Sequence, residues 1–140
     1  MTGHKRVFVD TAPLIYFLDN DENFGEKTKR ILEELLNDNG LLISSAITCV
    51  EYLVYPYRTN NQEKADAFFE FAENERMLLT PISTSIAKTA AKIRSKYEHF
   101  KAMDAIQLAV AIETNCDVFL TNDNQLKQFD GIKVMTIEEW

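Results

Sequence analysis

Short apolar runs alternate along this chain with longer segments that have the spacing of amphipathic helices. The first run is β-branched and aromatic with no acid until its last residue, which predicts a buried strand at Arg6–Asp10. Similar runs predict four more strands, at Leu41–Ser44, Met77–Thr80, within Asp117–Thr121 and at Ile132–Met135.

The segments between these strands predict helices at Ala12–Leu18, around Phe24–Leu35, from Ala46 to about Tyr55, after Asn60, after Ser83 or Thr84, at Met103–Glu113 and at Asn122–Phe129. Turn and capping residues mark several of their ends. Gly40 is placed to close the second helix in a left-handed conformation, and Ser45 to cap the third. Pro56 is expected to end or kink that third helix, and Asn60 with Glu63 to form a capping box for the next.

Strands that alternate with helices pair in parallel and are joined by right-handed crossovers. The predicted fold class is therefore α/β: a three-layer α/β/α sandwich around a central parallel five-stranded sheet. Residues 1–140 contain no linker, repeat or low-complexity segment, so we expect a single domain.

Composition and charge indicate an ordinary globular protein and argue against a nucleic-acid coat protein or a membrane protein. The chain is 46% hydrophobic and 26% charged, as in ordinary globular proteins, and its net charge of −7 argues against a protein that coats nucleic acid. No apolar run approaches the roughly 20 residues of a membrane span, and Met1–Lys5 lacks the apolar part of a signal peptide. We expect a cytoplasmic protein with no membrane contact.

Cysteines and histidines are too scattered for a zinc site or a histidine-based catalytic site. Cys49 and Cys116 stand among apolar neighbours, as expected for small buried thiols. His4 falls in a predicted N-terminal tail and His99 in a loop. Chemistry must therefore come from other side chains.

Four acidic residues occupy comparable places in the predicted pattern. Asp10 and Asp123 follow buried strands, Asp104 begins the apolar helix before the fourth strand, and Glu51 lies in the helix after the second. Each also has a structural explanation, because acids near helix N-termini cap the helix or interact with its dipole. Glu51 fits that explanation least, since its helical neighbours are largely apolar and no lysine or arginine lies within one turn.

Taken together, the four acids predict a metal site. If the fourth strand lies beside the first, strand order reverses there and the carboxyl ends form the crevice in which open α/β sheets bind ligands. Carboxylate oxygens suit Mg²⁺ or Mn²⁺ better than zinc or copper. The predicted ligands are Asp10, Glu51, Asp104 and Asp123.

The same residues form a recognisable series: Val9–Thr11, Glu51 after the second strand, Met103–Ala109, Leu120–Asp123 and the closing Gly131–Val134. This series resembles the PIN-domain nuclease family, and within it most of all the VapC-type toxins of toxin–antitoxin pairs. The resemblance spans nearly the whole chain, and all four acids of the family are matched.

The resemblance implies a metal-dependent endoribonuclease that hydrolyses RNA phosphodiesters with a metal-activated water, leaving 5′-phosphate and 3′-hydroxyl ends. The four acids would be its catalytic residues and its ligands for Mg²⁺ or Mn²⁺. Thr11, Thr121 and Asn122 would orient a ligand or water. It also implies an antitoxin protein as partner, a homodimer, and a sheet with its first strand at the centre.

Basic and aromatic residues cluster in two further segments. Positive charges between Lys88 and Lys101 are either an RNA track or a solvated helix face, and the candidates for RNA contact are Arg94, Lys96 and, next to the Asp104 motif, Lys101. The middle of the chain has more aromatic residues than one core can hold, namely Tyr52, Tyr55, Tyr57, Phe68, Phe69 and Phe71. The surplus could form a dimer face or a groove for a partner helix, although core packing is favoured for Phe68 and Phe69.

Two other functions compete with the nuclease. One is another Mg²⁺ phosphohydrolase, but haloacid-dehalogenase-like phosphatases need a second aspartate where this chain has Ala12, and receiver domains need one where it has Thr80 and Pro81. The other is a non-catalytic PIN-like module that binds protein or RNA. The presence of all four acids argues against that module.

Overall fold

In the computed structural model, which describes residues 5–140, strands and helices alternate from the first strand onward. The strands are β1 (Arg6–Val9), β2 (Leu41–Ser45), β3 (Leu78–Thr80), β4 (Val118–Thr121) and β5 (Lys133–Thr136). The helices are α1 (Thr11–Leu18), α2 (Gly25–Asn37), α3 (Ala46–Arg58), α4 (Gln62–Asn74), α5 (Thr84–Lys96) and α6 (Ala102–Glu113), with a 3₁₀ helix at Asn124–Gln128. Each predicted element is present. His4, which the sequence places in an N-terminal tail, lies outside the described residues.

The five strands form one parallel sheet in the order β3-β2-β1-β4-β5. Val9 pairs with Leu120, and the Asp10 amide donates to the Leu120 carbonyl at 2.9 Å. The predicted sheet and its central first strand are therefore confirmed. Strand order reverses between β1 and β4, so the carboxyl ends of these two strands flank the expected crevice.

Helices cover both faces of this sheet because successive strand residues point to opposite sides. Val7 and Val9 pack with α1 to α4, whereas Phe8 packs with α5 and α6. Phe8 also stacks on Phe119 of β4, with ring centroids 4.9 Å apart. The result is the predicted three-layer α/β/α sandwich, and the apolar helix α6 is buried as expected.

Two predicted helix ends differ from the structure in the middle of the chain. Helix α3 continues through Pro56 to Arg58; the proline costs the helix one backbone hydrogen bond, but it is buried, and its carbonyl accepts from the Asn61 amide at 2.7 Å. Helix α4 is capped by Asn61, which accepts from the Lys64 amide, and Asn60 has a left-handed φ of 54°. The prediction of a cap at Asn60 is wrong, and of the two alternatives given for Pro56, an end or a kink, the end is wrong.

The turn between α2 and β2 is also shifted by one residue. Asn39, with φ 61°, takes the left-handed conformation predicted for Gly40. Gly40 is needed for a different reason, since a Cβ atom on it would lie 2.7 Å from the Leu35 carbonyl oxygen. The turn therefore requires glycine because of close packing and not because of its φ.

Several apolar side chains of α3 lie on the surface and do not pack into the core. Val50, Val54 and Tyr57 follow one another at helical spacing and are 54%, 43% and 54% exposed; we call these three residues the α3 stripe. Phe68 is buried, but Phe69 is 44% exposed, so the favoured assignment of Phe69 to the core is wrong.

None of the helices within residues 5–140 is long and apolar enough to cross a membrane.

Candidate metal centre

Asp10 stands where β1 ends and α1 begins, and its carboxylate is fixed on both sides. One oxygen accepts from the Thr11 amide at 2.9 Å as the N-cap of α1, and the other accepts from the Thr121 hydroxyl at 2.8 Å. Burial, together with the smaller effect of the charges of Asp104 and Glu51, raises the pKa of Asp10 to about 6 against the lowering effect of these two hydrogen bonds. The fold therefore holds Asp10 in a site that disfavours its negative charge.

Glu51 reaches the same region from α3. Its Oε1 accepts from the Thr11 hydroxyl at 2.6 Å, a short charge-assisted bond. The expectation of a carboxylate on a buried apolar face is wrong, because Glu51 is exposed and its apolar neighbour Val54 belongs to the α3 stripe. Its position at the cavity, and not its burial, is what distinguishes Glu51.

Asp104 and Asp123 complete the acidic group. Asp104 lies in the first turn of α6, and its pKa is raised by burial and by the charges of Asp123 and Glu51, while Lys101 lowers it. Asp123 caps the 3₁₀ helix by accepting from the Gln125 amide at 2.9 Å. The carboxylates therefore lie close enough to influence one another.

One cavity of about 370 Å³ brings these residues together. Its walls include the four acids, Asp10, Glu51, Asp104 and Asp123, and also Thr11, Thr121 and Asn122. Tyr16, one turn after Ala12 on α1, also lines it and accepts from the Asn122 side-chain amide at 3.0 Å. Sequence reasoning missed Tyr16, although the spacing from Ala12 to Tyr16 marks one face of α1.

The cavity offers the ligand types that a hard divalent cation takes, namely several carboxylate oxygens. None of the ion pairs formed by the described residues involves the four acids. However, in the part of the chain that the structure describes, no three Asp, Glu, His or Cys side chains are already close enough to share one ion. Three of the carboxylates instead accept hydrogen bonds, Glu51 and Asp10 from the hydroxyls of Thr11 and Thr121, and Asp123 from the Gln125 amide.

The three basic residues proposed for RNA contact occupy different places. Lys101 precedes α6, is exposed, and is near enough to Asp104 to lower its pKa. Arg94 donates to the Phe100 carbonyl at 3.2 Å and so supports the loop before α6. Lys96 lines a separate groove with Tyr97 and Phe129. Among the three, only Lys101 comes close to the acids.

The remaining polar candidates are elsewhere. Cys49 and Cys116 are free and only partly buried, and burial raises the pKa of each thiol. His99 lies in the predicted loop, where its ring meets Phe100 edge-on. Neither cysteine nor His99 lines the cavity of the four acids.

Solved structures of toxin–antitoxin proteins are similar to this chain over nearly its whole length. VapBC2 from Rickettsia felis, bound to a promoter DNA fragment, has a TM-score of 0.74 at 19% identity, covering 94% of this chain and 98% of that one. A toxin–antitoxin complex from Klebsiella pneumoniae has a TM-score of 0.73 at 23% identity, covering 96% of this chain and 99% of that one. VapC20 of Mycobacterium tuberculosis, a sarcin–ricin-loop-cleaving toxin, has a TM-score of 0.66 at 15% identity, covering 91% of this chain and 98% of that one. These similarities establish the fold.

A search of curated protein sequences gave no match. The model of the PIN-domain family, by contrast, matches residues 7–132, a span that includes all four acids, β1 from Val7 onward, and β2, β3 and β4. The chain belongs to the PIN-domain family.

Proposed function

We propose that this protein is a metal-dependent endoribonuclease and the toxin of a type II toxin–antitoxin pair. The observation that carries the proposal is the convergence of Asp10, Glu51, Asp104 and Asp123 on one cavity at the carboxyl ends of β1 and β4. A PIN-domain chain whose cavity has carboxylates as its only charged side chains supports hydrolysis of phosphodiesters better than it supports a binding module.

The four carboxylates would hold Mg²⁺ or Mn²⁺. When bound, such an ion would activate a water nucleophile and offset the charge that grows on the phosphate. Asp10 is the most constrained of the acids, because Thr121 and the Thr11 amide fix both of its oxygens. Asn122, held by the Tyr16 hydroxyl, faces the same cavity and would orient water or phosphate.

Lys101 would bind an RNA phosphate beside the acids, since it is exposed and lies next to the first turn of α6. Arg94 and Lys96 would extend the phosphate contacts along the end of α5. The proposed products carry 5′-phosphate and 3′-hydroxyl ends.

Cleavage of an RNA substrate by the purified chain tests the enzyme. Activity should require Mg²⁺ or Mn²⁺ and should fall by more than about 100-fold in Asp10→Asn, because losing even an outer partner of a metal ligand costs roughly 10–100-fold. Asp66→Asn is the matched control, since Asp66 is an exposed acid on α4 outside the cavity. Equal activity in Asp10→Asn and Asp66→Asn would contradict the proposed site, whereas absence of cleavage by the wild-type chain would favour the non-catalytic module.

The toxin assignment has its own support and its own test. The similar structures from Rickettsia felis and Klebsiella pneumoniae are toxin–antitoxin complexes, and the α3 stripe gives this chain an exposed apolar surface. Expression of the chain alone should inhibit bacterial growth by acting on cytoplasmic RNA, and Asp10→Asn should abolish the inhibition. Harmless expression of a chain that cleaves RNA in vitro would place it in another PIN branch.

We also propose an antitoxin protein and a second copy of this chain as partners. Tyr55 is 62% exposed and borders a small groove with Pro56 and Lys64, which an apolar helix of an antitoxin could occupy. The α3 stripe is the candidate face for the homodimer.

A further inference from the structure

Behind the acidic cavity lies a buried network of hydroxyl and amide groups. Gln107 of α6 is only 1% exposed, although the helix around it is apolar. Its amide nitrogen donates to the Thr48 hydroxyl at 2.8 Å, and its amide oxygen accepts from the Ser45 hydroxyl. Because both ends of the amide have partners, the orientation of Gln107 is fixed.

Thr48 connects this amide to the cavity. Thr48 is fully buried in α3, and its hydroxyl lies 3.3 Å from that of Thr11. The Thr11 hydroxyl has a single hydrogen, and its nearer partner is Glu51 Oε1 at 2.6 Å. Ser44 also joins the network, with its hydroxyl 2.8 Å from that of Thr48. A continuous series of contacts therefore runs from Gln107 to Glu51.

The network links the three elements that carry three of the acids. Thr11 follows Asp10 at the start of α1, Thr48 lies one turn before Glu51 in α3, and Gln107 lies one turn after Asp104 in α6. Buried polar groups are costly unless all are paired, and a paired network holds its members at defined separations. Here the elements that it holds carry carboxylates that repel one another.

We propose that Thr48 and Gln107 are positioning residues that, through Thr11, hold Glu51 at the cavity in the orientation that binds a divalent cation. Neither residue reaches the cation or the substrate, because neither lines the cavity. The inference rests on the metal-binding role proposed above for the four acids.

Titration of the folded protein with Mn²⁺ alone, followed by calorimetry, tests the inference. Thr48→Val keeps the shape of the side chain but removes its hydroxyl, and it should raise the Mn²⁺ dissociation constant about 10-fold or more, as outer partners of metal ligands do. Thr48→Ser keeps a hydroxyl and should stay close to the wild-type value. Thr28→Val is the matched control, because Thr28 is a fully buried threonine of α2 whose hydroxyl bonds the Phe24 carbonyl.

A double-mutant cycle separates positioning from a general loss of stability. In the Glu51→Gln background, Thr48→Val should cause no further loss of Mn²⁺ affinity, whereas a merely structural effect would persist there. Thr28→Val should lower the melting temperature without changing Mn²⁺ affinity. If Thr48→Val does not fold, Thr11→Val and Thr11→Ser form the equivalent pair, and Thr11→Val is expected to show the same loss.

Two outcomes would overturn the inference, and they can be told apart. Wild-type Mn²⁺ affinity in folded Thr48→Val, or in Thr11→Val where that pair is used, would refute positioning through the network and leave the metal site intact. Absence of Mn²⁺ binding by the wild-type chain would refute both this inference and the proposed metal-dependent function.

Discussion

At the scale of single residues, Asp10 is the acid whose ionisation links the site to stability. Burial and the charges of Asp104 and Glu51 raise its pKa to about 6, from an ordinary value of 3.8. A carboxyl group whose pKa is higher in the folded than in the unfolded chain stabilises the fold while protonated. That contribution is lost as the pH rises through the folded pKa.

In metal-free protein, the free energy of unfolding should therefore contain a component that falls as the pH rises from 3.8 to about 6. Asp10→Asn should lack this component and be more stable than the wild type at neutral pH. Urea denaturation at a series of pH values, in the presence of a chelator, measures both the pH dependence of the free energy of unfolding and the difference in stability between the variant and the wild type. Asp66→Asn should retain the wild-type pH dependence, and an identical dependence in Asp10→Asn would contradict the shifted pKa.

Divalent cations should stabilise the folded chain because they relieve repulsion among the four carboxylates. At a Mn²⁺ concentration of about 100 times the dissociation constant, the free energy of unfolding should increase by about 2.7 kcal/mol. This increase corresponds to a rise of several degrees in melting temperature. Asp104→Asn should reduce this rise, since it removes one carboxylate from the cavity. A melting curve that Mn²⁺ leaves unchanged over a wide range would argue against the metal centre.

Residues also show where the sequence was a poor guide to the site. The positions of Asp10, Asp104 and Asp123 follow from strands and a helix that the apolar pattern locates. Glu51 was singled out for the wrong reason, because an apolar neighbour such as Val54 looks the same in sequence whether it is buried or exposed on a surface. The contacts of Tyr16 and Gln107 depend on tertiary packing, which local spacing does not contain.

At the scale of elements, strands and helices were predictable, whereas their ends were not. Periodicity over ten or more residues identifies a helix such as α5, but a cap depends on the backbone conformation of one residue. Asparagine adopts the left-handed conformation at both Asn39 and Asn60, and this shifts each predicted turn by one position. Pro56 does not end α3 but lies within its last turn.

The turn between α2 and β2 gives a prediction at this scale. Gly40→Ala should lower the free energy of unfolding by about 1–3 kcal/mol, because the new Cβ would meet the Leu35 carbonyl oxygen at 2.7 Å. Asn39→Gly is the matched variant and should be nearly neutral, since glycine accepts the left-handed φ of 61°. Denaturant unfolding compares the two, and equal stability would contradict this account of the turn.

At the scale of the whole molecule, the alternating pattern predicted parallel strands in a three-layer sandwich, whereas the central place of the first strand was implied by the family resemblance. The neighbouring positions of β1 and β4 were needed for the site and are confirmed by the sheet order. Contacts between copies of the chain do not follow from the pattern, since surface apolar residues resemble core residues in sequence. The α3 stripe could therefore be located only once the helices were packed.

The proposed homodimer can be tested on the α3 stripe. Val54→Lys places a charge at the centre of this apolar surface and should convert a dimer to a monomer in sedimentation experiments, with the fold unchanged. Leu78→Lys is the control, because Leu78 is 46% exposed on the edge strand β3, away from the stripe. A dimer that survives Val54→Lys would have to use another face.

The central place of β1 has a consequence for biosynthesis. Ribosomes make β1 before β4, yet the pairing of β1 with β4 and the hydrogen bond between the Asp10 amide and the Leu120 carbonyl require residues that are synthesised much later. A nascent chain that stops after α5 contains Asp10 and Glu51 but neither Asp104 nor Asp123. The acidic cluster therefore assembles only after α6 and the residues that follow β4 have been synthesised, and an incomplete chain that lacks them has no complete site.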